Sequence, residues 1–185
     1  TPRILLYDSL GNRIWGNVES GHIDMGWTAR LGEGGSHIAM GVRIGKKTCG
    51  PDGRFHENCD EFIFDAFTGK PYTLPFSVYK TMPADINGDG YHEIIGGVPG
   101  GNGNVMDRFG NVIGNIGGNV ALAAKFINFP GEQLLTYGDD GFFRIWADNN
   151  AVDSEEALKR YSNPFYKSGQ RVQANGYNWC ILGGL

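Results

Sequence analysis

The chain repeats one short phrase: an apolar strand closed by an aspartate, a polar turn, then a returning strand. Residues 3–8 (RILLYD) lead through Ser9, Leu10, Gly11 and Asn12 into Arg13, Ile14 and Trp15. Residues 104–107 (NVMD), followed by RFGN and then Val112 and Ile113, repeat it closely. Looser copies are FIFD at 62–65 with Thr68 and Gly69, and FRIWAD at 143–148 with Asn149 and Asn150. The closing residues Asp8, Asp65, Asp107 and Asp148 lie 57, 42 and 41 residues apart. Strand-forming runs broken by Gly, Asn and Asp read as hairpins.

A second repeated phrase precedes these hairpins. In residues 84–97 an apolar strand meets the loop DINGDGYHE and a second apolar strand starts at Ile94. Oxygen donors fall at Asp85, Asn87, Asp89 and Glu93. A loop curling round a hard cation needs such alternation, because every second side chain points inward and a backbone carbonyl, here that of Tyr91, completes the shell. Gly88 and Gly90 permit the positive φ of a tight curl. An EF-hand would carry its bidentate acid at the twelfth position, which is Gly96. This loop therefore reads as a short Ca²⁺ loop feeding a strand, with a metal-free Asn-Gly/Asp-Gly turn as the alternative. His92 reads as an outward-facing residue of that loop. Residues 29–41 and 125–135 have the same shape without the full acidic set: Arg30 replaces the first aspartate and His37 stands near the place of Glu93.

Antiparallel strands in units of about 40 to 50 residues are the signature of propeller blades. The expected fold is all-β, a β-propeller of about three and a half four-stranded blades, with one short helix near the C-terminus. Boundaries fall near Gly21, Ser77 and Gly118: an outer hairpin at 1–20, blades at 21–76, 77–117 and 118–152, and a remainder at 153–185. In that remainder Asp153, Glu155 and Glu156 precede Lys159 and Arg160, as suits a helix and its dipole. Residues 171–185 look strand-like. Three and a half blades do not close a ring, so the remaining blades are expected from a longer polypeptide or from another chain.

Composition agrees with many short strands: 30 Gly, 8 Pro and 12% aromatic residues. A net charge of −4 gives no electrostatic case for nucleic acid or an anionic membrane. No apolar run approaches the roughly 20 residues that span a bilayer. Cys49 and Cys59 bracket a polar loop and are expected to pair in an oxidising compartment, with Cys180 left over. A zinc site from Cys49, His56 and Cys59 is the alternative, short of a fourth ligand.

Residues 84–93 resemble the FG-GAP-type calcium loops of extracellular β-propellers. More narrowly, GHIDMGW at 21–27, the loop at 85–93, RIWAD at 144–148 and NGYN at 175–178 are similar to the propeller of family 11 rhamnogalacturonan lyases. That resemblance implies a secreted or periplasmic protein and calcium-dependent β-elimination of a uronate-containing, acidic polysaccharide. It places His22, beside Asp24, in a catalytic calcium site, with His37 as a second ligand, although the family's more acidic second phrase is replaced here by Leu31, Gly32 and Glu33. β-Elimination needs a neutralised carboxylate, a base and an acid. Arg30 and Arg43 are the candidates for neutralisation, His22 or His37 for the base, and Tyr72, Tyr91 or Tyr177 for the acid. The other reading is a non-catalytic, calcium-stabilised propeller that binds glycan or protein or assembles outside the cell. Trp27 reads as packing between blades.

Overall fold

The structure is a computed structural model that describes residues 2–18, 23–49, 55–98 and 100–174. Four small antiparallel sheets follow one another along the chain, then two helices. β1 (Pro2–Tyr7) and β2 (Arg13–Val18) form the first, a lone hairpin. β3 (Ile23–Arg30), β4 (His37–Cys49) and β5 (Phe55–Asp65) form the second. β6 (Met82–Ala84), β7 (Glu93–Ile95), β8 (Asn104–Met106) and β9 (Val112–Asn115) form the third. β10 (Asn119–Ala124), β11 (Gln133–Tyr137) and β12 (Phe143–Trp146) form the fourth.

These are antiparallel meanders in sequence order, and the first consists of β1 and β2 alone among the described residues. They are not uniformly four-stranded, and the described residues form no closed barrel. After β5 the chain makes only a single bridge, Phe64 to Pro71. After β12 it leaves the sheet for the helices, and among the described residues that sheet has three strands.

The aspartate turns explain why the hairpins recur. Asp8 Oδ1 accepts the N–H groups of Leu10 and Asn12 (2.9 and 2.8 Å), and Asp107 Oδ1 does the same for Phe109 and Asn111 (2.9 and 2.8 Å). Asp65 holds Thr68 and Asp148 holds Asn150 in related turns. A short carboxylate that bonds the backbone two to four residues on makes the turn locally self-sufficient.

The core lies between the sheets. Met25, Trp27 and Ala29 of β3 and Ile38, Met40 and Val42 of β4 pack with Ala84, Ile94 and Ile95 of the third sheet and Val120 and Leu134 of the fourth. Trp27 is buried and donates its indole N–H to Thr81 Oγ1 (3.3 Å), so it does pack between sheets. The lone hairpin rests on the second sheet through Trp15, whose indole N–H reaches the Ala66 carbonyl (2.7 Å) while its ring meets Phe64.

Three expectations need correction. The ladder sets Cys59 opposite Ile44 and Cys49 opposite Phe55. Four positions at about 3.3 Å each separate the two cysteines along the hairpin, beyond the Cα spacing of a disulfide. The side chains of Cys49 and His56, on which the zinc alternative rests, lie outside the described residues. Second, the C-terminal part holds two helices: α1 (Glu155–Ser162) and α2 (Pro164–Ala174), so residues 171–174 are helical and not strand-like. Third, His92 points inward, as described below. Cys180 and the rest of the 175–185 tail lie outside the described residues.

Candidate calcium loop and its helical cover

The loop between β6 and β7 curls as its sequence requires, with φ of +78° at Gly88 and +91° at Gly90. Asp85 is fully buried, and its Oδ2 accepts the Gly90 N–H (3.0 Å). Asn87 and Asp89 each accept the N–H two residues on. Glu93 closes the loop from the start of β7: Oε2 accepts the Ile86 N–H (2.9 Å) and Oε1 meets the Asn87 carboxamide (3.1 Å).

α1 covers this loop. The Val152 N–H donates to the Asn87 carbonyl (3.0 Å) and the Ser154 N–H to the Gly88 carbonyl (2.8 Å). Ser154 caps α1 by accepting the Ala157 N–H. One turn on, Arg160 buries its guanidinium against Asp85 Oδ2 (2.7 Å) and the Gly90 carbonyl (2.8 Å). The sequence marks Arg160 only as a dipole-complementing base. Its pairing with Asp85 joins residues 75 apart, and the legible clue is that Ala157 and Arg160 share a helix face.

Do the side chains fit a hard cation? The Asn87 carboxamide nitrogen donates to Asp89 Oδ2 and Glu93 Oε1, at 3.3 and 3.1 Å, and so draws two carboxylates towards one side chain. Asp85 Oδ1 is buried with no hydrogen-bond partner, which leaves one carboxylate oxygen uncommitted. The set is carboxylate and carboxamide, the chemistry Ca²⁺ takes. These donors fit the ion. Without it they stand apart: among the described residues, no group of three or more His, Cys, Asp or Glu forms a ready-made metal centre. The expected fifth oxygen is the Tyr91 carbonyl.

Electrostatics point the same way. Burial pushes the Glu93 carboxyl up to about 8. Burial also raises Asp85, to about 6, against the pull of Arg160 and with a further push from Glu132. Glu132, also buried, is raised as well. Asp85 and Glu132 share the Arg160 cation and Glu93 does not, and a divalent ion at the loop would favour the ionised forms of Asp85 and Glu93.

Tyr91 stacks between two guanidinium groups, with Arg30 at 5.0 Å and Arg108 at 4.5 Å from its ring centre. Arg30 donates to the Gly35 carbonyl (3.1 Å) and lies 3.6 Å from Glu156 of α1. His37, half-buried, stands opposite Arg30 in the β3–β4 ladder and meets Phe67 edge-on. Burial lowers its pKa, and the charges of Arg160 and Arg30 lower it further. Arg43 is six positions further along β4, roughly 20 Å away at strand rise, where it pairs with Asp60 (2.8 Å). Arg30 and His37 therefore come together and Arg43 does not join them. His22 and Tyr177 lie outside the described residues. Asp24 falls on β3, and Tyr72 packs at the margin of the core.

His92 was misread from sequence. It is buried and accepts the Arg30 N–H at Nδ1 (3.0 Å), while its own N–H donates to the Arg30 carbonyl (3.2 Å). Burial holds its pKa well below the usual value, which keeps the ring neutral and able to accept. Its position just before Glu93, Ile94 and Ile95 matches that of Glu132 before Gln133, Leu134 and Leu135, and that alignment was the available signal.

Residues 77–113 match the FG-GAP repeat, a stretch that holds the whole loop and runs from before β6 into β9. FG-GAP repeats usually form propellers and commonly bind calcium. Comparison with curated proteins and with solved structures returned no match.

Proposed function

We propose that the chain is a non-catalytic, calcium-stabilised segment of a propeller-type scaffold, acting outside the cytoplasm in glycan or protein binding. The observation that carries this reading is the cover on the loop. Asp85 and Glu93 are buried, α1 covers the loop between them, and Arg160 already spans Asp85 and Gly90. A cation there would brace a turn between strands and would meet no substrate. Bound to the folded state alone, it would add stability by mass action.

A second reading, a lyase of the rhamnogalacturonan type, has one observation in its favour. His37, with its pKa lowered, stands across the ladder from Arg30. A neutral imidazole beside a guanidinium suits proton removal next to a neutralised uronate carboxylate. Calcium would act there as a Lewis acid on that carboxylate.

One experiment separates the two. The protein is incubated with rhamnogalacturonan and other uronate polymers, with calcium and then with chelator, and the ultraviolet absorbance of unsaturated uronates is followed beside the melting temperature. The scaffold reading expects no absorbance rise and a lower melting temperature on chelation. A calcium-dependent rise that disappears in His37→Ala would establish the lyase reading instead.

A further inference from the structure

The same backbone link joins each loop to the next. The Arg30 N–H donates to His92 Nδ1 (3.0 Å) and the Arg30 carbonyl accepts the His92 N–H (3.2 Å). One sheet on, the Asp85 N–H donates to Glu132 Oε2 (2.7 Å) and the Asp85 carbonyl accepts the Glu132 N–H (2.8 Å). In both cases the first residue of a loop has its N–H and C=O satisfied by the residue just before the next sheet's second strand. Both groups sit at a buried or half-buried joint, where an unpaired polar group costs about 1 to 3 kcal/mol.

The third loop repeats the arrangement with different atoms. Its first residue is Lys125, and the Lys125 N–H donates to the hydroxyl of Tyr166 on α2 (2.7 Å). The Lys125 carbonyl accepts from the carboxamide of Gln170, one turn further along the same helix. Tyr166 is buried, and its hydroxyl also donates to Glu132 Oε1 (2.8 Å), which ties it into the preceding link. Tyr161 of α1 stacks beside Tyr166 and under the Lys125 ammonium group.

We infer that the α1–α2 segment is an end cap: Tyr166 and Gln170 occupy on the third loop the docking slot that the next sheet's loop occupies on the first two. The path of the described chain fits this, because after β12 it passes directly into α1 and α2 and not into another strand of that sheet. The cap covers the loop end only. Below it Phe143 and Ile145 remain 74% and 54% exposed on one sheet face. A further blade that docked its loop on Lys125 would first have to displace α2. The inference does not depend on calcium or on any catalytic reading.

Residue-resolved hydrogen exchange on the whole protein tests it. In the unaltered chain the Lys125 amide is protected to a degree comparable with those of Arg30 and Asp85. Tyr166→Phe speeds exchange at Lys125 by about fivefold to tenfold, the equivalent of one hydrogen bond, while Arg30 stays unchanged and serves as the internal control for folding. Tyr166→Phe combined with Gln170→Ala opens the slot, and light scattering then shows concentration-dependent association as a loop from a second copy enters it. Equal exchange at Lys125 in the unaltered and substituted chains overturns the cap, as does an α2 whose amides exchange at unstructured-peptide rates. A doubly substituted chain that stays monomeric at all concentrations overturns the claim that the slot accepts another loop.

Discussion

Asp85 and Arg160 form a tight buried pair, at 2.7 Å with side-chain exposures of 0% and 6%. Removing one partner leaves the other charge buried, a loss of about 3 to 5 kcal/mol. Arg160→Met is therefore expected to lower the unfolding free energy from urea titration by that amount and so move the midpoint down, and added calcium should recover part of it by neutralising Asp85. An unchanged midpoint would mean that the guanidinium is not docked. The raised carboxyls set a pH dependence. Asp85 goes from 3.8 to about 6 on folding and Glu93 from 4.5 to about 8, so the folded, metal-free chain holds protons that the unfolded chain releases. Their stabilising contribution is complete below about 4 and is lost as pH rises through 6 to 8. In chelator the melting temperature should fall across that window. With calcium the fall should shrink, because the ion binds the ionised forms and displaces their protons. The lowered carboxyls of Asp8, Asp65, Asp107 and Asp140 act below 3.8 and leave this window clear.

At the scale of elements, the hairpins are legible because each carries its own turn chemistry. Asp8 and Asp107 bond their own turns within four residues, a device that a local reading detects. Asp107→Ala should remove those bonds at an exposed site and cost about 1 kcal/mol, measured by denaturation, with the fold retained. α1 is legible from its acids and bases, and its Ser154 cap gives a second test. Ser154→Ala should cost about 1 kcal/mol and should speed amide exchange in α1 more than in β6 to β9. Equal effects on both would show that helix and loop open as one unit. α2 escaped the sequence reading because its Gly169 and polar residues give no strong period. Tertiary contacts from Tyr166 to Lys125 and Glu132 hold it in place.

At the scale of the whole molecule, the candidate calcium loop and the proposed cap lie at neighbouring joints of one row of loops. Calcium at about 100 times its dissociation constant should stabilise the chain by about 2.7 kcal/mol through mass action. A thermal scan with and without chelator checks this, and far-ultraviolet circular dichroism below the transition should not change. Loss of strand signal on chelation would mean that the loop organises the sheets and does not merely brace one turn. An unshifted transition would remove calcium from the loop. The row itself is held by His92, Glu132 and Tyr166, three different residue types that supply one kind of backbone link.

The sequence alone determined the hairpins, their order and the tight curl of the loop at 85–93, because these rest on contacts within about ten residues. It also carried the family resemblance of that loop, later matched over residues 77–113. Only the tertiary structure decided that His92 turns inward, that Cys49 and Cys59 stand out of reach, and that Arg160 and Tyr166 close two loops from far along the chain. The physical reason is the same for each. A buried backbone or carboxylate group must find a partner, and the partner is chosen by which side chain packing brings near, which local spacing does not encode.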